Sequence, residues 1–352
     1  MMIKKGNLPK DSKMRRRILI VNVNWVGDVL FSTPFIKAIR RRFPDAYIAC
    51  MVVPRCVPMV EGSPDLDEVV LYDEDGIHAS PSGKIRFILS LRKKRFDTAY
   101  LLHRSFTRTL LSLLAGIHKR IGYYTRKRFL LLTKTVEPPT EEVHKIDYFL
   151  KIAQAEGIKA DDKHYEFFIS EEDGRYAQEL LSNKGILPDE KFVVLNPGGN
   201  WDLKRWPKEN FASVADGLIK KLGYKVIITG AAKDLSLANS IVSLCENKPI
   251  ILCGVTTLKQ VGAVMKKASL VISGDSGPMH ISAAIGTPTI AIFGPTSPDI
   301  TGPRGKGPLR LLRGKIECEV PCYNLTCTDN RCMSAIKPAD VLIAAEELLK
   351  DA

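Results

Sequence analysis

Five short stretches of this chain combine glycine, lysine and carboxylate in patterns that could hold a nucleotide and move a proton. Trp25-Val26-Gly27-Asp28 sets a single carboxylate at the mouth of a helix, straight after an apolar run at 18–23. Asn196-Pro197-Gly198-Gly199 leads into Lys204-Arg205-Trp206-Pro207. Gly230-Ala231-Ala232-Lys233-Asp234, Gly274-Asp275-Ser276-Gly277-Pro278-Met279-His280 and Gly294-Pro295-Thr296-Ser297-Pro298 follow. The amides of Ser276 and Gly277, opening a helix, suit an anion, because unpaired N–H groups and the helix dipole both face it. Lys204 suits a charged leaving group, and Asp234 the diol of a ribose. Together these outline a site for a nucleoside diphosphate. Each also has an ordinary reading: Asp275 and Ser276 are common helix caps, Trp206 suits a core, and His280 a cap or a packed ring. A carboxylate beside a diphosphate is repulsive, so Asp275 is expected to fix the turn. Asp28 stands between two roles, helix cap and general base.

The elements that must position these residues alternate along the chain. ILIVNV is a continuous β-rich run, followed by a helix over 29–42 and the strand YIACMVV. A short helix at 57–61, the strand EVVLY, a helix at 84–93 and the strand TAYLLH come next. A helix at 107–115, the strand KRIGY and a long amphipathic helix at 144–156 complete the first half. The second half repeats the plan: strands FVVLNP, KVIITG, PIILCG, LVISGD and PTIAIFG, with helices at 210–221, 235–246, 258–267, 279–285 and 338–349. Such alternation predicts an α/β protein with parallel sheets. The reading is two Rossmann-like domains in tandem, 1–165 and 166–335, joined near 157–172. The helix within 336–352 is expected to pack back toward the first domain. Ligands of open parallel sheets bind beyond the carboxyl ends of the strands, so the cleft between two facing sheets becomes the expected site.

The chain has 352 residues, 45% of them hydrophobic and 26% charged, a globular balance. No apolar run approaches the roughly 20 residues that span a bilayer, and the basic start lacks the apolar core of a secretory signal. A cytoplasmic protein is expected. Residues 1–165 carry 30 Lys and Arg against 18 Asp and Glu, a net +12, and the remainder 22 against 21, a net +1. That asymmetry points to a polyanionic partner for the first half: nucleic acid, an anionic membrane surface or a phosphorylated substrate. No nucleic-acid reader module is recognisable, so nucleic acid is not expected. Cys318, Cys322, Cys327 and Cys332 crowd together, spaced more loosely than paired zinc knuckles. A structural metal, disulfides and free thiols all stay open there, with no catalytic part assigned. Dehydrogenases and epimerases of nucleotide sugars would want a G-x-G-x-x-G fingerprint, which is missing, as is a P-loop. Asp65-x-Asp67 matches a metal-binding D-x-D but precedes its strand, and reads as surface carboxylates.

WVGD (25–28), AGIHKRIGY (115–123), KRWP (204–207), GAAKD (230–234), GDSGPMH (274–280) and FGPTSPD (293–299), in this order, resemble the ADP-heptose:lipopolysaccharide heptosyltransferases, most closely the type II enzymes. The likeness runs from Arg17 to the last helix. It implies a GT-B fold, an inverting transfer and no metal or other cofactor in catalysis. The implied donor is ADP-heptose, and the implied acceptor the first heptose of the inner core on Kdo-lipid A. By the same resemblance Asp28 is the catalytic base, Lys204 faces the donor phosphates, and Asp234 meets the adenosine ribose. Asp275, Ser276 and Gly277 form the phosphate turn. The donor set is completed by Asn196, Gly198, Gly199, Gly230, Thr256, Met279 and His280, and Trp25, Gly27, Arg104 and Arg126 are candidates on the acceptor side. The basic first half would then meet Kdo-lipid A at the inner face of the cytoplasmic membrane, with the enzyme peripheral and monomeric. The alternative is a transferase of the same fold that adds the first heptose to Kdo, or uses another nucleotide sugar.

Overall fold

Continuous aliphatic runs become central strands, because a parallel strand covered by helices on both faces needs apolar residues at every position. The computed structural model describes residues 15–199, 201–324 and 326–350; most of the basic leader lies outside them. In the first domain the strands are β1 (Arg17–Val21), β2 (Tyr47–Val52), β3 (Glu68–Leu71), β4 (Thr98–Leu101), β5 (Lys119–Tyr123) and β6 (Lys134–Val136). They form one parallel sheet in the order β3-β2-β1-β4-β5-β6. In the second domain β7 (Phe192–Asn196), β8 (Lys225–Ile228), β9 (Ile250–Ile251), β10 (Leu270–Gly274), β11 (Thr289–Phe293) and β12 (Leu309–Arg313) take the order β12-β11-β10-β7-β8-β9. In each sheet the strand order reverses beside the first strand of its domain, which opens a crevice at β1 and at β7.

The helix expected over 29–42 is two helices, Val26–Phe31 and Thr33–Arg42. Pro34 has no N–H to offer the carbonyl of Leu30, and the hydroxyl of Thr33 donates to that carbonyl instead (2.9 Å). Three arginines close the second helix where its dipole favours cations. Several elements were not expected, among them the short helices Pro298–Thr301 and Arg331–Ser334. The helix Glu171–Asn183 buries only Ala177 and Leu181 and is started by a capping box between Ser170 and Asp173. The edge strands β6 and β12 are short and largely exposed.

The last helix, Pro338–Lys350, corrects the sequence reading. It packs on its own domain, with Val341, Ala344, Ala345 and Leu348 joining Phe211, Val214, Ala215 and Leu218 in one core. Gly217 admits the close approach: a Cβ there would stand 2.7 Å from a methyl of Leu342. The second domain's own helix Lys208–Lys220 thus presents the matching face, which the first sheet does not.

The two domains share apolar surface. Ile281 and Ala283, from the helix Gly277–Ile285, belong to the core that also holds Ile18, Leu30, Phe31 and Phe149. Polar ties reinforce the junction. Lys259 Nζ donates to the carbonyls of Glu61 (2.8 Å) and Phe168 (2.5 Å), and Arg304 pairs with Asp147 (2.8 Å). His144 caps its helix by accepting from the Ile146 N–H (3.1 Å) and meets the Gly302 carbonyl across the domains (2.8 Å). That pair of contacts needs a neutral ring, and burial holds its pKa down to about 4, with the Gly302 carbonyl pulling the other way. An unfolded histidine titrates near about 6.5. Between these values the unfolded chain binds more protons, so stability from His144 is full above about pH 6.5 and is lost as pH falls toward about 4. Burial sets His103 near about 4 as well, with the same sign. Urea midpoints measured across this window should fall with acidification, and less steeply in His144→Asn, which keeps a cap but has no titrating ring.

Candidate active site

Beyond the carboxyl ends of β1, β7, β8 and β10 lies a cleft of about 610 Å³. Its second-domain wall contains Asn196, Gly198, Gly199, Lys204, Gly230, Asp234, Thr256, Asp275, Ser276, Gly277 and His280, all expected from the sequence. Asn196 is buried and ties three strand ends together: its amide donates to Ser273 (3.3 Å) and Ser276 (3.4 Å), and its oxygen accepts from Thr229 (3.3 Å). Ser276 caps the helix Gly277–Ile285 by accepting from the Met279 N–H (3.4 Å), leaving the opening amides of that helix turned to the cleft end. Asp234 accepts from the Ala231 N–H (3.0 Å). A Cβ at Gly198 would fall 2.6 Å from its Oδ2, so only glycine lets the first loop close over this carboxylate.

Asp275 is the anchor of the wall. Its Oδ2 accepts from Lys204 Nζ (2.7 Å) and from Thr296 Oγ1 (2.7 Å), and His280 Nε2 stands 3.6 Å from Oδ1. Burial alone would raise its pKa, but His280 and Lys204 overcome burial and hold the carboxyl far below the ordinary range. Asp275 is therefore ionised and holds Lys204 as well as its own turn, a pairing the sequence did not suggest. Met279 corrects the donor set: it is fully buried beside Ala291 and Phe293 and does not line the cleft.

The first-domain wall is short: Trp25, Val26, Gly27, Asp28 and Phe31. Asp28 lies in the first turn of the helix Val26–Phe31, whose cap position is Trp25 with no side-chain cap bond. Among the described residues its carboxylate has no hydrogen bond or ion pair, so it does not cap the helix. Burial raises its pKa above the ordinary 3.8; Lys145, His280 and Lys204 pull it back in that order, and Asp275 pushes it up again. Gly27 and Gly277 bring the domains together here. A Cβ on Gly27 would stand 3.3 Å from the His280 ring, and one on Gly277 3.1 Å from Val26.

Asp28 and Trp25 also line a second cavity of about 360 Å³, walled by Asn24, Arg55, His103, Arg104, Lys145 and Tyr148. Arg104, a candidate from the sequence, lines this cavity. Arg126 is not: it is exposed in the loop after β5 and lines neither cavity. Arg55, His103, Lys145 and Tyr148 were missed. Arg55 and His103 follow β2 and β4, so the strand-end rule applied to the first sheet would have found them. On the second-domain wall Trp201, Thr257 and Thr301 were missed as well, and Lys233, quoted in its stretch but given no role, also lines the cleft.

The D-x-D pair is structural. Asp67 accepts from the Ile48 N–H (2.8 Å) and pairs with Arg40 (2.6 Å). Trp206 is core, its indole N–H on the Ile336 carbonyl (3.0 Å). The four clustered cysteines are free thiols lining one cavity of about 220 Å³ beside Leu203 and Pro295. Among the described residues, no three His, Cys, Asp or Glu side chains gather as metal ligands, and none of the four thiols is in a disulfide.

The model of glycosyltransferase family 9 (heptosyltransferase) matches residues 84–330, a span that begins after Asp28. Lipopolysaccharide heptosyltransferase 2 of Escherichia coli (strain K12) is 30% identical over 82% of this chain and 85% of its own. Lipopolysaccharide heptosyltransferase 3 of the same strain is 28% identical over 92% and 96%. Among solved structures, the glycosyl transferase family 9 protein of Veillonella parvula superposes with a TM-score of 0.88 at 28% identity, covering 96% of this chain and 98% of that one. E. coli ADP-heptose lps heptosyltransferase II gives 0.79 at 27%, covering 95% and 99%. With both sheets facing one cleft, the fold is GT-B, and the chain belongs to glycosyltransferase family 9, the heptosyltransferases.

Proposed function

We propose that this enzyme moves L-glycero-D-manno-heptose from ADP-heptose to the heptosyl-Kdo-lipid A inner core of lipopolysaccharide, with inversion and with Asp28 as the base. The observation that carries the reading is the place of Asp28. Among the described residues it is a carboxylate with no hydrogen bond or ion pair, its pKa is raised, and with Trp25 it lines both the donor cleft and the basic second cavity. ADP would lie along the second-domain wall, with Asp234 at the ribose and the diphosphate between Lys204 and the amides opening the helix Gly277–Ile285. The acceptor sugar would enter from the second cavity, where Arg55, Arg104 and Lys145 suit its acidic neighbours.

In the transfer, Asp28 takes the proton of the acceptor hydroxyl as that oxygen bonds to the anomeric carbon, and the carbon–phosphate oxygen bond breaks on the opposite face. A raised pKa makes the carboxylate a better base, provided it is within hydrogen-bond reach. The diphosphate leaves as an anion without protonation, so one carboxylate suffices, whereas an inverting hydrolase needs two. Lys204 and the helix amides stabilise the charge that grows on the leaving group. No step asks for a metal ion, and a chelator is expected to leave the rate unchanged. The enzyme would work at the inner face of the cytoplasmic membrane; among the described residues no helix is long and apolar enough to cross one.

ADP release with ADP-heptose tests the reading against two acceptors, Kdo-lipid A and heptosyl-Kdo-lipid A. Faster turnover on the second, with one heptose added by mass, is the expected result. Preference for the first moves the enzyme to the first heptose. Turnover only with another nucleotide sugar overturns the donor.

A further inference from the structure

We propose that the loop between β5 and β6 is a docking surface for an anionic lipid bilayer. The partner deepens the proposed function, since it rests on an acceptor that is carried in a membrane, but the surface itself is defined by this chain. From 98 to 136 there is no Asp or Glu, while Arg104, Arg108, Lys119, Arg120, Arg126, Lys127, Arg128 and Lys134 all fall within that span.

These cations divide by burial. Arg108, Arg120 and Arg128 point inward. Lys119 and Lys134 pair with Glu156. Arg104, Arg126 and Lys127 are exposed and, among the described residues, in no ion pair. Beside them stand exposed apolar side chains: Leu130 is 80% exposed, Phe106 44%, and Tyr124 and Phe129 38% each. Scattered surface hydrophobics need no explanation, but several in one loop among unpaired cations do.

The display is held in place and is not a frayed tip. Arg128, buried, donates from its guanidinium to the carbonyls of Tyr123 and His103. Arg120 donates to the Leu131 carbonyl (2.6 Å), and its backbone is tied to Thr133. Tyr124 stacks obliquely on Phe129, ring centres 5.7 Å apart, and the turn Phe129–Leu131 sits against the helix Phe106–Leu114. Two buried guanidiniums thus pin both ends of a loop whose tip is left in water. An apolar tip ringed by lysine and arginine matches a membrane interface, where the side chains enter the headgroup boundary and the cations meet anionic lipid. The position agrees. His103 and Arg104 line the acceptor-side cavity, and Arg128 grips the carbonyl of that same His103, so a bilayer at the loop lies beside the cavity mouth.

The test is co-sedimentation of the full chain with phosphatidylcholine vesicles, with and without phosphatidylglycerol, at low and high salt. Wild type should bind the anionic vesicles and release in high salt. Leu130→Glu and Lys127→Glu should each lower the bound fraction's partition constant about tenfold or more. Lys127 is exposed and, among the described residues, in no ion pair, so its reversal reports on docking even if the leucine variant folds poorly. Wild type that ignores anionic vesicles, or variants that bind as well as it does, overturns the proposal. So does a change in oligomeric mass with no change in vesicle binding, which would make this face a contact between copies. Heptose transfer to a deacylated, soluble acceptor is the separate control. It should be unchanged in both variants, and its absence in wild type would sink the functional reading while leaving the vesicle result standing.

Discussion

Replacing Asp28 by asparagine is expected to lower kcat about a thousandfold, the middle of the range for a lost general base, with ADP affinity held within about twofold. The substitution removes the proton acceptor and keeps the shape. The carboxylate has no hydrogen bond or ion pair among the described residues, so no partner is left orphaned. Folding should not suffer: burial disfavours the charge on Asp28, and that cost disappears with the charge. A thermal midpoint equal to or above that of wild type is the expected companion result, the usual signature of a residue kept for activity at some cost to stability. The pH profile gives a second handle. Wild-type kcat should fall as pH drops through the raised pKa of Asp28, above the range of an exposed aspartate, and the asparagine variant should lose that limb. Transfer that continues at the wild-type rate would reduce Asp28 to a lining residue.

Lys204→Ala should be the most damaging change on the donor side. It removes a cation from the leaving group, worth roughly a hundredfold to a thousandfold in kcat by analogy with other charge-stabilising donors. It also leaves Asp275 buried and ionised with only Thr296 and His280 for company. Breaking one half of a buried pair costs about 3–5 kcal/mol; Lys204 is itself partly exposed and Thr296 remains, so the lower end, about 3 kcal/mol, is expected. Pairing the change with Asp275→Asn separates the two losses. The double variant should recover most of the stability, since no buried charge is stranded, and none of the rate. Recovery of both would mean that Lys204 serves the fold alone.

The second-domain wall of the cleft was largely legible because its residues follow strands one after another, and glycine, asparagine and aspartate stand out there. Side-chain direction was not legible. Arg126, Lys127 and Arg128 are consecutive and alike as letters, yet Arg128 is buried on backbone carbonyls and its neighbours face water. Met279 sits in a phosphate-turn motif but points into the core. Lys145 and Tyr148 share the helix Lys145–Gln154, but Arg55 and His103 come from the ends of two different strands, so the four form a cavity only once the first sheet and that helix are assembled. The helix Glu171–Asn183 escaped for a related reason: two buried residues in thirteen make too thin a stripe to read as a period. The break at Ser32 was readable, since Pro34 forbids an unbroken ladder.

A chain built from two similar Rossmann-like halves invites recombination, one half being exchanged for that of a relative at the linker. The helix Gly277–Ile285 argues against that boundary. It opens on the nucleotide side and ends inside the core of the other sheet, where Ile281 and Ala283 are counted among first-domain residues. A chimera cut near 160 would bring a foreign helix against Phe31 and Gly27, with mismatched volumes in a packed interior. Grafts that carry this helix's contacts along with the acceptor half should fold, and those that split them should not. Inheritance in such enzymes would then follow the contact, and acceptor preference would drift by substitution around the cavity more readily than by exchange of domains.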